Sequence, residues 1–493
     1  MKVVLAGYNV DARVLERAED AGISRESLTP EVLSAAYARI SRDPSDVGEL
    51  RKAALDEVEK ARTSNRKIIF EMGHHSVAEH AVFNFDIVGI SRLAVEWLER
   101  FRLCSFTEKS QRYITLDHDF VVPPEIEGTK AASALTELVH AQAGVYEQLY
   151  DALRTRLAAS HPEMESKRKG RGLLDGRAKE DARYVTLLAT TGQLGLTVNA
   201  RNLELMIRRF AAAPLEEVRV LGRSLYQCAA GAAPSLLLFT EPSPYDVQTG
   251  KELAVLAQTL LKEATTPEPV EEVRLLGFTP DPDRLVAAAL LHAYSQQGFE
   301  VCKATAVSLS EDELRDVFET ALRRMEFFDS TPREFEHVVL HFELVLSAAA
   351  YGQLKRHRMS TQSVQFYDPS LGITVPSSMR QAGIDGVLAG FATRAEALYK
   401  ELGGAASPIA AYALTNAHRR RVLITTNLRE LYHIVRLRDD GHAQWDIRNV
   451  AALMRRTAEE AMPLGSLLLC GKDSYADRYR EIFGCSPSII PPA

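Results

Sequence analysis

Apolar and polar residues alternate in 79-EHAVFNFDI-87 and again in 336-EHVVLHFEL-344. A period of two predicts a strand with one covered face in each place. Two further stretches, 3-VVLAGYNVDARVL-15 and 273-VRLLGFTPDPDRLV-286, each read as apolar strand, Gly-aromatic turn and helix. Elsewhere the period lengthens. The run 130-KAASALTELVHAQAGVYEQLYDALRTRLA-158 predicts one long amphipathic helix. In 197-TVNARNLELMIRRF-210 and 425-TTNLRELYHIVRLR-438 an Asn, a favoured helix N-cap, precedes helical spacing of apolar residues.

These pairs occur in the same order along the chain. Also paired are 35-AAYARIS-41 with 289-ALLHAYS-295, and Arg100-Phe101-Arg102 with Arg356-His357-Arg358. Such recurrence reads as a tandem duplication. The first copy is expected over 1–240 and the second over 271–493. Between them, 241–270 is a linker punctuated by Pro242, Pro244, Pro267 and Pro269, with a short helix near 250–264. Few strands among long helices predict an α+β fold, with a small mixed or antiparallel sheet in each half. The basic run 167-KRKGRG-172 reads as a solvated loop, and 418-HRRR-421 as a basic cluster ahead of a helix.

Composition narrows the picture. The 493 residues suffice for two domains, and a formal net charge of −7 argues against a general nucleic-acid binder. No apolar run approaches the roughly 18 residues of a membrane span. The start, MKVVLAGYNVDARVL, lacks a signal-peptide pattern. Five cysteines, Cys104, Cys228, Cys302, Cys470 and Cys485, show no metal-ligand spacing. A sparse, odd set suits a reducing compartment, so the expected location is cytoplasmic, without a metal site.

Candidate chemistry concentrates in 99-ERFRLCSFTEKSQRY-113. Arginine brings a permanent charge and a planar fork suited to phosphate. Gln353 and Asn427 each offer donor and acceptor, as reading a base or flavin edge requires. A nucleotide monophosphate with a heteroaromatic ring fits this set; surface ion pairing is the competing interpretation. There is no Gly-rich phosphate loop, and no hydrolase triad or zinc spacing. Cys104, beside Leu103 and Phe106, reads as core.

The ordered motifs 73-GHHSVAEHAVFNF-85, 100-RFRLCSFTEKSQRY-113 and 197-TVNAR-201 resemble the flavin-dependent thymidylate synthase (ThyX) family. So do 353-QLKRHR-358 and 427-NLRELYHIVRLRDDGHAQWDIR-448 in the second half. The resemblance covers nearly the whole chain twice, and so implies two tandem ThyX-like domains. It also implies a homotetrameric architecture whose sites are built between subunits, with FAD at the interface and dUMP stacked on it. One subunit supplies a Glu-x-Ser-x-Arg segment and an upstream arginine to the phosphate. Another supplies a Gln, the Arg-His-Arg run and an arginine that acts on the uracil.

The two halves divide this set. The first keeps Glu108, Ser110, Gln111, Arg112 and the upstream Arg183, sixteen residues before Asn199, but has Phe101 and Trp97 where His and Gln are expected. The second keeps Gln353, Arg356, His357, Arg358, Asn427, Arg429, Arg438, His442 and Gln444. In 361-TQSVQFY-367 it has Val364 and Phe366 in place of the Ser and Arg, and Ala411 in place of the upstream arginine. The losses are complementary, so one composite site is expected. By the resemblance, Arg438 is catalytic. Glu108, Ser110, Gln111, Arg112, Arg183, Gln353 and Arg356 bind dUMP. His74, Ser76, Glu108, Arg356, His357, Arg358, Asn427, Arg429, His433 and His442 hold FAD. Methylenetetrahydrofolate is the implied methylene donor and NADPH the reductant. Two chains would mimic the tetramer, giving a homodimer. Two alternatives stand beside this: a C5-methylase of another pyrimidine nucleotide, and a non-catalytic flavin or nucleotide binder.

Overall fold

In the strand Val82–Ser91 (β2), Phe83, Phe85 and Ile87 are buried while Asn84 and Asp86 are exposed. The alternation thus lays one face of a sheet on the core. A computed structural model describes residues 1–14, 28–40, 42–110, 119–264 and 270–490. It divides into two compact units, one of Met1–Thr266 with Thr393–Leu414, the other of Pro267–Ala392 with Thr415–Ala493.

The first unit holds β1 (Lys2–Tyr8), β2, β3 (Cys104–Glu108) and β4 (Thr191–Asn199), antiparallel in the order β1-β2-β4-β3. Asn199 ends β4 and caps the helix Ala200–Ala211, its side chain accepting from Asn202 N at 3.0 Å. Ser91 does the same for Arg92–Leu98. The long helix spans Lys130–Ser160.

The second unit repeats the plan with β5 (Val273–Phe278), β6 (Val339–Ser347), β7 (Thr361–Val364) and β8 (Arg419–Asn427), in the order β5-β6-β8-β7. One irregularity recurs as well: a register shift at Leu5/Gly7 matches one at Leu275/Gly277. Val82 faces Asn199, and Val339 faces Asn427. The core around Phe318, Phe335, Phe342, Tyr351 and Leu431 packs helices Leu428–Arg438 and Trp445–Ala461 on one sheet face. The α+β expectation is met by two four-stranded antiparallel sheets with helices.

Two local expectations change. The 167–172 run is not a loop: it opens the helix Arg168–Ala182. Lys and Arg are good helix formers, and a Cβ on Gly170 would lie 2.1 Å from Met164 O, so the glycine permits close approach. The 418–421 run lies largely on β8. Arg420 is buried, 4.0 Å from the Tyr367 ring centre and 4.9 Å from that of Tyr351, and donates to Gln365 O.

Segment 393–414 falls within the second sequence copy yet packs in the first unit. Leu188 N donates to Leu414 O at 2.8 Å and Ala189 N to Tyr412 O at 3.2 Å. The Tyr412 hydroxyl donates to Glu217 Oε2 at 2.6 Å, and Ser91 gives the same carboxylate its Oγ at 2.6 Å and its N–H at 2.8 Å. Burial pushes the Glu217 carboxyl above its ordinary value, against these hydrogen bonds. Glu217→Ala strands three buried donors, so a loss of roughly 2–4 kcal/mol is expected by chemical denaturation. Tyr412→Phe should cost only about 1 kcal/mol.

Candidate functional site

The second unit gathers several of the expected site residues. Arg438 is the last residue of Leu428–Arg438, a helix fixed at its start by Asn427, whose side chain accepts from Glu430 N at 2.8 Å. Arg438 Nε donates to His357 Nε2 at 2.9 Å, and Nη2 donates to Gln353 O at 3.3 Å. Gln353 lies on Ala348–Leu354, capped by Ser347, which in turn donates to Asp446 Oδ2 at 2.5 Å. Gln353 Nε2 sits 3.5 Å from Oε1 of Gln444, a fully buried residue that caps Trp445–Ala461.

A guanidinium only donates, so His357 Nε2 must accept and the ring proton belongs on Nδ1. Nδ1 lies 3.7 Å from Glu430 Oε1, and the ring centre 5.5 Å from that of His433, nearly edge-on. His357 is 3% exposed. Burial, then the charges of Arg438 and His433, hold the imidazole well below its ordinary value of 6.5. Burial raises the Glu430 carboxyl, with His433 and Arg429 opposing. Nδ1 is buried and Nε2 is engaged by Arg438.

The buried ring gives a pH signature. The folded protein keeps His357 neutral, so the unfolded chain takes up the proton first as pH falls. The stabilisation is complete above about pH 6.5 and is lost as pH drops toward the depressed folded value. Its limiting slope is about 1.4 kcal/mol per pH unit. Urea midpoints between about pH 7 and 5.5 should fall more steeply for the native sequence than for His357→Gln; parallel slopes would refute the neutral ring.

Other expected residues serve structure as well. Arg429 donates Nε to Thr331 O at 2.9 Å and Nη1 to Glu336 Oε1 at 3.1 Å. The first unit repeats that bond, Arg201 to Glu79 at 2.5 Å. His442 is exposed, with Nδ1 3.0 Å from Asp440 Oδ1. Arg356, Arg358 and His433 are exposed.

In the first unit, Glu108 ends β3 opposite Leu194, and its carboxylate is 3.8 Å from Arg92. Ser110 follows, half-buried; Gln111 and Arg112 lie outside the described residues, as does Ser41. Arg183 is buried and donates Nε to Glu180 O at 3.2 Å. His74 is exposed, Nε2 3.4 Å from Arg42 Nη2, and Ser76 is exposed. The register sets Val364 against Val422 as it sets Glu108 against Leu194, which corrects the expected correspondence: Val364 replaces the glutamate and Phe366 the serine, not the Ser and Arg. Arg100 stacks on Trp97 at 4.3 Å, while Phe101 meets Phe210 edge-to-face at 5.6 Å.

Sequence reasoning missed Glu430 and Arg92 as neighbours of the site. Glu430 could have been found three positions after its Asn cap. Among the described residues, no group of His, Cys, Asp and Glu could hold a metal, and no helix is long and apolar enough to cross a membrane.

The model of a family described as "Thymidylate synthase complementing protein" matches residues 24–235 and again 274–464. The chain belongs to that family. Its flavin-dependent thymidylate synthase of Clostridium tetani is 30% identical over 216 residues, 43% of this chain and 83% of that protein. The one of Geobacter sulfurreducens is 32% identical over 216 residues, 42% of this chain and 80% of that protein. A protein named UPF0159 from Thermoplasma acidophilum is 24% identical over 475 residues, 87% of this chain and 92% of its own. About half of this chain thus matches the two flavin-dependent thymidylate synthases, and most of it matches the Thermoplasma acidophilum protein.

Proposed function

We propose that the protein is a flavin-dependent thymidylate synthase. It converts dUMP to dTMP with methylenetetrahydrofolate, at one composite site that draws residues from both halves. The observation that carries this is the division of chemistry. The second half keeps a buttressed arginine, Arg438, beside Gln353, where the first half has Phe210 and Trp97. The first half keeps Glu108, Ser110, Arg112 and Arg183, where the second has Val364, Phe366, Asp368 and Ala411.

The roles follow from donor chemistry. Arg112, Arg183 and Ser110 would hold the phosphate by charge-assisted hydrogen bonds. Gln353 would orient the base, and Arg356 would reach both base and flavin. Arg438 would stabilise negative charge on the uracil ring and make its C5 more nucleophilic, fixed-charge catalysis in a shielded site. The exposed set of Arg356, Arg358 and His433 offers two guanidinium charges to an anionic dinucleotide. With His74, Ser76, Glu108, Asn427, Arg429 and His442 it would hold FAD, which supplies the reducing equivalents. NADPH is the proposed reductant and a homodimer the proposed assembly.

Absorption spectroscopy tests this reading. The purified protein should carry or take up FAD, and dUMP should perturb the flavin band more strongly than UMP does. A protein that binds no flavin would overturn it.

A further inference from the structure

Arg438 and two groups beside it, His357 and Glu430, are replaced together in the other half. Counting from the Asn caps, Phe210 stands where Arg438 does and Asn202 where Glu430 does; Phe101 stands where His357 does. The replacement is structural as well as sequential. In the second unit Arg438 Nε reaches His357 Nε2 at 2.9 Å. In the first unit Phe101 and Phe210 fill the corresponding places as an edge-to-face pair, ring centres 5.6 Å apart at 87°. Asn202 turns its side chain to the cap, Nδ2 donating to Asn199 Oδ1 at 2.8 Å.

Physical chemistry explains why the three would change as a set. A buried imidazole acceptor with no donor is costly, and so is a guanidinium with its acceptor removed. An aromatic pair removes both costs at once. The half that lacks the arginine therefore has no use for the histidine or the carboxylate.

We infer that His357 and Glu430 are positioning residues, a buried support that holds the Arg438 guanidinium in one orientation. This inference rests on the role proposed above for Arg438. His357 acts through Arg438. Its Nε2 accepts from Arg438 Nε, while its Nδ1–H faces the Glu430 carboxylate across 3.7 Å. The backbone carbonyl of Gln353, taking Nη2 at 3.3 Å, fixes the fork at a second point. The charged and titratable groups facing His357 are Arg438 and Glu430 from the 428–438 helix and His433 one turn along it. An unsupported arginine would still carry its charge but would sample many rotamers, and electrostatic catalysis depends on a dipole or charge already in place.

The test compares His357→Gln and His357→Phe in the full-length, FAD-loaded protein. Glutamine keeps an acceptor near the Nε2 position; phenylalanine copies the first half. His357→Phe should lower kcat roughly 100-fold while FAD and dUMP dissociation constants move less than about threefold. His357→Gln should restore kcat to within about threefold of native. A loss of FAD affinity with either variant, or equal kcat for both, would overturn the inference. A second readout needs no activity. Histidine-selective ¹⁵N NMR, with His357→Gln assigning the signal, should show His357 as the neutral Nδ1–H tautomer between about pH 6 and 8. A protonated ring, or the Nε2–H tautomer, would sink the arrangement whatever the kinetics. If the native protein binds neither flavin nor dUMP but the tautomer is as described, the proposed function fails while the support stands.

Discussion

Arg438→Ala should lower dTMP formation by roughly 10³-fold, the loss typical of removing one preorganised charge from a transition state. FAD affinity should hardly change, because the proposed flavin contacts of Arg356, Arg358 and Asn427 are untouched. The variant also leaves the buried His357 Nε2 without its donor. A stability loss of about 1–3 kcal/mol follows and must be checked by denaturation before the rate is interpreted. Arg438→Lys separates charge from geometry. Lysine keeps the cation but loses the fork that meets both His357 Nε2 and Gln353 O, so partial activity is expected. Single-turnover measurement of dTMP checks both variants. An Arg438→Ala protein within a few-fold of native turnover would remove Arg438 from the chemistry.

Arg112→Ala should weaken dUMP binding by about 10- to 100-fold, the worth of one charge-assisted contact to a phosphate. The diagnostic lies in the ligand. Deoxyuridine, which has no phosphate, should bind the native and Arg112→Ala proteins alike, and the FAD dissociation constant should be unchanged. Equal dUMP affinity in the variant, or an equal loss for deoxyuridine, would refute the phosphate assignment. Arg183→Ala is a less clean probe. Arg183 is buried and donates to Glu180 O, so its removal also disturbs packing.

Much of this arrangement was legible in the sequence, for reasons that particular residues make clear. Alternation in VFNFDI and VLHFEL marked β2 and β6, because a strand lying on a core exposes every second residue. Asn199 and Asn427 marked two helix starts through their capping chemistry. What stayed hidden was contact across long separations. His357 and Arg438 are 81 residues apart, and Tyr412 and Glu217 are 195 apart. No local pattern shows that such side chains share a proton donor or a buried carboxylate. Charge runs misled for a related reason. HRRR reads as a basic cluster ahead of a helix, yet it lies largely on β8, with Arg420 between Tyr351 and Tyr367 and Arg421 3.9 Å from Glu343. The motif names Arg438, His357 and Gln353; only their placement separates the group proposed to face the substrate from the one that steadies it.

The central claim is that the two halves together provide one nucleotide site per chain. Calorimetric titration of the FAD-loaded protein with dUMP tests it most directly. A stoichiometry of one dUMP per chain, its affinity lowered both by Arg112→Ala in the first half and by Gln353→Ala in the second, is the result expected. Two sites per chain would mean that each half binds alone, and none would mean that the retained arginines serve only the fold; either would contradict the composite site.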